Sequence, residues 1–182
     1  MLFSSITFLF LFLPVVLAVY YIVPFKAKNI VLLIASLFFY AWGEPVYVIL
    51  MILSIMLNYF CGRDIKENEE DPRRAKLGVI FAVVANLFVL GFFKYYGFLI
   101  ETLNAMLPID IPYRELPLPV GISFYTFQAI SYILDVYWKK AQPQNNILYI
   151  ALYISMFPQL IAGPIVQYAD IEEPLRRRHM GI

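Results

Sequence analysis

Gln128, Ser131 and Asp135 are the residues whose types and spacing could do chemistry in this chain. With Gly121 and Phe124 they recur at helical intervals and fall on one stripe of the otherwise apolar run Val120 to Trp138. An amide, a hydroxyl and a carboxylate placed this way can line a cavity for a polar substrate. They can equally hydrogen-bond to neighbouring helices, as polar groups inside membranes do. Ile122, Phe127, Ile130, Ile133 and Leu134 cover the other surfaces of the run. Asp135 stands one turn before Lys139, in the acid-first order that favours an ion pair near a helix end over a role as catalytic acid. The remaining candidates stand apart. His179 sits in the tail beside Arg176, Arg177 and Arg178, without a nucleophile or an orienting carboxylate. Asn58 and Asn86 are single amides in apolar surroundings, read as contacts between helices. Cys61 excludes an internal disulfide and reads as a small buried hydrophobe, with acylation at the membrane edge as the alternative. No HExxH, P-loop, GxGxxG or GxSxG pattern occurs, and no metal-ligand set is expected.

The elements that position these residues belong in lipid. Of the 182 residues 62% are hydrophobic and only 15% charged, against about a quarter charged in soluble domains. That much apolar surface cannot be hidden in water. Lys and Arg are scattered among hydrophobic runs, so there is no basic stripe for nucleic acid, and the lipid bilayer is the expected partner.

A hydrocarbon core of about 30 Å takes roughly 20 apolar residues as a helix. Residues 6–23 meet this without a charge, and because Lys26 and Lys28 follow the run, a retained span is favoured over a cleaved signal. Residues 30–42 and 46–61 form two further spans, separated by the turn chemistry of Gly43-Glu44-Pro45. Residues 77–100 form a fourth, and 120–138 a fifth, entered through Pro117 and Pro119. Residues 147–166 are interrupted by Pro158 and Gly163-Pro164, so this segment is either a kinked span or re-entrant. Basic residues favour re-entrance, because a segment that turns back keeps the three tail arginines with Lys26, Lys28, Lys139, Lys140 and the loop 62–76. The N-terminus is then outside. Residues 62–76 read as a solvated loop, and 101–119 as an outer surface segment with a short amphipathic helix over 102–107. Lys94 with Tyr95 and Tyr96 reads as an outer interfacial anchor rather than a partner for Asp135. The expected fold is all-α: a polytopic integral membrane protein with five transmembrane helices and a Pro-broken sixth segment, all in one membrane domain.

Four stretches carry a resemblance: MLFSSITFLFLFLPVVLAVYY at the start, then LLIASLFFYAWGEP, LPVGISFYTFQAISYILDVYW and FPQLIAGPIVQYADI, in this order. Together they resemble the membrane-bound O-acyltransferase family in its bacterial alginate O-acetyltransferase branch. The resemblance implies a ring of helices around a chamber with a deep histidine. It further implies a donor such as acetyl-CoA arriving from the cytoplasm as substrate, and transfer toward the outer face of the bacterial plasma membrane. Periplasmic or extracellular partner proteins and a polysaccharide acceptor would follow. Residues 157–166 would belong to a thin re-entrant centre. Family members continue well past this length, with the catalytic histidine in that later part. His179 does not occupy its position, so no catalytic residue is carried over. The expectation is an N-terminal portion, inactive alone. The alternatives are a non-enzymatic transporter or channel, motivated by the polar stripe and the broken segment, or a scaffold subunit.

Overall fold

The computed structural model describes residues 5–106, 112, 117–163 and 166–176, and every regular element among them is helical. A π-helical turn, Phe8–Phe12, leads into α1 (Leu13–Ile22), and a 3₁₀ turn, Phe25–Ala27, leads into α2 (Lys28–Gly43). Then follow α3 (Tyr47–Glu67), α4 (Pro72–Met106), α5 (Ile122–Tyr137), α6 (Ile147–Ser155), α7 (Phe157–Ala162) and α8 (Tyr168–Arg176). The widened first turn has a local cause. Pro14, in the first turn of α1, has no N–H for the carbonyl four residues back, and the helix ahead of it opens into a π turn.

Among the described residues three helical stretches are long and apolar enough to cross a membrane: Phe25–Gly43, Tyr47–Glu67 and Pro72–Met106. Phe8–Ile22 is apolar but shorter. The 16 residues of α5 reach only about 24 Å, less than the hydrocarbon thickness. Large apolar side chains such as Ile49, Phe60, Phe81 and Phe88 point outward from α3 and α4, a surface suited to lipid.

Two sequence expectations need correction. Residues 62–76 are mostly helical rather than a loop, since α3 runs on to Glu67 and α4 starts at Pro72. Pairs one turn apart hold the extension of α3, Arg63 with Glu67 at 3.4 Å and Lys66 with Glu69 at 2.6 Å. Asp71 caps α4 by accepting from the Arg73 and Arg74 N–H groups at 3.0 and 3.3 Å, with Pro72 behind it in the first turn. The hydrogen bond from Lys66 holds the Glu69 carboxyl below the usual carboxylate range. The second correction concerns the outer segment. No separate helix starts at Thr102, because α4 continues unbroken to Met106. Leu107 lies outside the described residues.

The core is organised around α5, which packs against α3, α4, α6, α7 and α8. It is buried over most of its surface, with Ile122 and Ile133 as enclosed as Ala129 and Tyr132, and only Phe124 and Phe127 of its large apolar side chains exposed. Gly62 of α3 faces Tyr132 so closely that a Cβ there would lie 2.5 Å from the Tyr132 hydroxyl. A second, aromatic cluster joins the N-terminal helix to α2 and α7: the Phe157 ring lies 5.5 to 6.1 Å from those of Phe8, Phe12 and Phe39.

Asn58 and Asn86 bind α3 to α4. Each amide donates to the other's carbonyl, at 3.1 and 2.9 Å, and each also donates to the main chain one turn back. Cys61 is half-buried against the core. Replacing Asn58 alone with Leu strands a buried amide on Asn86. It should lower stability by about 1 kcal/mol, and Asn58→Leu/Asn86→Leu together should recover part of the loss, checked by thermal unfolding in detergent.

Candidate functional site

The site is built on α5 and the broken segment that follows it. Gly121 enters α5 in the left-handed region, φ 76°, where a Cβ would also meet the Leu160 carbonyl oxygen at 3.0 Å. At the other end Lys140 and Ala141 N–H donate to the Asp135 carbonyl at 2.9 and 3.2 Å, folding the chain back on itself. The Gln144 N–H reaches the Tyr132 hydroxyl at 3.4 Å, and Tyr59 donates to the Asn145 carbonyl at 3.0 Å. The Asn146 side chain then caps α6 by accepting from the Leu148 N–H at 3.0 Å.

Residues 150–155 of α6 are wholly inside the protein. The helix breaks at Met156, whose ψ of 113° is extended, and restarts as α7 with Pro158 in its first turn, where a missing N–H costs nothing. The N–H freed at Phe157 donates to the Ser36 hydroxyl of α2 at 3.3 Å. Two residues further, Gln159 Oε1 accepts from Gln128 Nε2 at 3.2 Å. The chain then returns. Tyr153 donates to the Val166 carbonyl at 2.7 Å, with the Ser131 hydroxyl of α5 close beside it. The Tyr168 ring stands edge-on to both Tyr132 and Tyr153, at 4.9 and 5.2 Å between ring centres. Ala169, in the first turn of α8, donates its N–H to Asp135 Oδ2 at 3.1 Å, and Gln142 N–H donates to Glu172 Oε2 at 3.3 Å. The segment thus leaves and rejoins α5 at the Asp135 end, while Leu160 lies against Gly121 at the other.

Gln128, Ser131 and Asp135 are therefore brought together by one partner, the returning segment. Phe124, expected on the same stripe, is 37% exposed and takes no part. The expected Asp135–Lys139 pair does not form. Lys139 takes a left-handed backbone, φ 58°, and its ammonium lies 3.9 Å from Glu69, while the Asp135 carboxylate turns inward to the α8 amide. A carboxylate at a helix N-terminus meets the positive end of the dipole, which explains why it is buried there. Lys94 is exposed, with its ammonium 5.7 Å from the Tyr95 ring centre. His179, Arg177 and Arg178 lie outside the described residues. Sequence reasoning missed Ser36, Gln159 and the Tyr132–Tyr153–Tyr168 stack. A lone serine in the run 30–42 and a lone amide one residue after Pro158 were the available signals. Chemically the arrangement orders backbone and leaves one acceptor unused: Gln128 Oε1 is buried with no hydrogen-bond partner among the described residues.

No protein-family model matches the chain, and no solved structure matches it. Curated relatives do. A Pseudomonas aeruginosa protein named "Probable alginate O-acetylase AlgI" is 40% identical across 98% of the chain. The Azotobacter vinelandii protein of the same name is 38% identical across 98%. A Helicobacter pylori "Peptidoglycan O-acetyltransferase" is 34% identical across 94%. The chain spans only 35 to 38% of the length of these relatives. Across almost its whole length, then, the chain is similar to the N-terminal portion of bacterial proteins named as alginate O-acetylases and a peptidoglycan O-acetyltransferase.

Proposed function

We propose that this chain forms the N-terminal part of a membrane-bound O-acetyltransferase that modifies a cell-envelope polymer, and that residues 147–166 are the re-entrant core of its transfer chamber. The observation that carries the reading is the grip of α5 on that segment through Gln128, Ser131 and Asp135. Irregular backbone at membrane depth is stable only inside protein or beside a wet cavity. Here each break is met by a side chain, Ser36 at Phe157 and Tyr153 at Val166. A thinned centre shortens the distance between an acyl donor on one side of the membrane and an acceptor hydroxyl on the other. Names of the relatives supply the acceptor class, alginate or peptidoglycan, and acetyl as the group moved.

On this reading residues 6–23, 30–42, 46–61, 77–100 and 120–138 cross a bacterial plasma membrane with the N-terminus outside. Acetyl-CoA serves as the cytoplasmic donor, and outer partner proteins deliver the group to polysaccharide. Gln128, Ser131 and Asp135 position the re-entrant wall of the chamber. Transfer to a hydroxyl needs a base near neutral pH, a role suited to histidine, and that base belongs to the longer protein.

Cysteines placed at Glu70, Asn145 and Asp170 should all label from the cytoplasmic face in intact cells versus lysed membranes. Labelling of Asp170→Cys from outside with Glu70→Cys from inside would replace the re-entrant loop with a crossing. In membranes supplied with labelled acetyl-CoA, the 182-residue chain alone should transfer nothing, and the longer protein should be active. Within that longer protein Asp135→Asn and Gln128→Leu should each lower kcat by about ten- to a hundredfold, because a wall displaced by about 1 Å misplaces the reacting groups. Unchanged kcat in both variants would remove these residues from the chamber.

A further inference from the structure

A groove of about 520 Å³ runs between the N-terminal helix and α2, and apart from Thr7 its lining is aliphatic or aromatic. Phe12, Val16 and Ala35 form its buried floor, while Val15, Ile34 and Phe38 stand on its rims, each at least half exposed. It extends from Val19 and Val31 at one end to Thr7 and Trp42 at the other, about 17 Å along the helices. A single hydrocarbon chain fits such a groove, and one leaflet of about 15 Å matches its length.

Charge identifies the headgroup. The Val19–Val31 end opens beside the 3₁₀ turn Phe25–Ala27, which carries exposed Lys26. Lys28 follows at once, buried at 6% exposure with its ammonium 4.9 Å from the Tyr20 ring centre and 5.8 Å from that of Tyr21. No acidic residue occurs before Glu44, so the positive field at this end has no nearby opponent along the chain. We propose that the groove between the N-terminal helix and α2 binds one acyl chain of an anionic phospholipid, with its phosphate against Lys26. The site is separate from the α5 clamp and does not depend on acetyl transfer.

The test uses the 182-residue chain in nanodiscs doped with phosphatidylglycerol or phosphatidylcholine spin-labelled near the end of one acyl chain, read by electron paramagnetic resonance. The protein should immobilise phosphatidylglycerol in preference to phosphatidylcholine. Lys26→Gln should reduce that preference about fivefold, the effect of one basic residue near an anionic lipid. Val15→Trp and Ile34→Trp fill the groove from its exposed rims, so the core is left intact, and each should abolish most of the immobilised signal at unchanged thermal unfolding. Equal immobilisation of the two lipids by the unaltered chain would overturn the headgroup assignment. Retention of the immobilised lipid by both folded Trp variants would overturn the groove. So would a change in oligomer size in those variants with lipid binding intact, since the groove would then be a contact between copies.

Discussion

A chain that breaks its helix within an apolar bundle must find a partner for every N–H and carbonyl the break releases. The rest of this structure depends on how that requirement is met between Met156 and Tyr168. Ser36 from α2 takes the Phe157 amide, Tyr153 holds the Val166 carbonyl, and Asp135 takes the Ala169 amide. Unpaired, such groups would each cost several kcal/mol in a medium without water. The polar residues of α5 are spaced to meet the segment at successive levels, Gln128 near its far end and Asp135 where the chain returns.

This requirement explains why α5 is short yet central. A helix of 16 residues that faced lipid would be poorly matched to the bilayer, but α5 is wrapped by α3, α4, α6, α7 and α8. Its task is to present a ruler of polar groups inside a sheath of longer helices. The long α4 and α3 provide the apolar outer surface, and the Asn58–Asn86 pair fixes their relation. Phe157 then locks the far side of the break into the aromatic cluster with Phe8, Phe12 and Phe39. The broken segment is thereby held from three directions, by α5, α2 and the N-terminal helix.

Much of the fold was legible in one dimension because lipid imposes simple rules. Runs without charge had to be helices, and Gly43-Glu44-Pro45 had to be a turn. Pro158 and Gly163 had to interrupt the last run. The boundaries were less legible where charge was involved. Residues 62–67 extend α3 because pairs one turn apart support a helix as well as they suit a loop, a choice that composition alone does not make. Asp135 shows the same limit at the site. Acid-first spacing to Lys139 is a sound local rule, and it was overridden by the N-terminus of α8, 34 positions away in sequence.

By itself the sequence determined the solvent, the helical class, the order of the apolar runs and the polar stripe of α5, because these follow from residue type and period. Tertiary structure alone decided what the stripe touches. Ser36, Gln159, Tyr153 and Tyr168 become partners of Phe157, Gln128, Ser131 and Tyr132 only when the segment folds back along α5. A hydrogen bond between distant residues leaves no periodic trace in the chain, so its partner is named only by the fold.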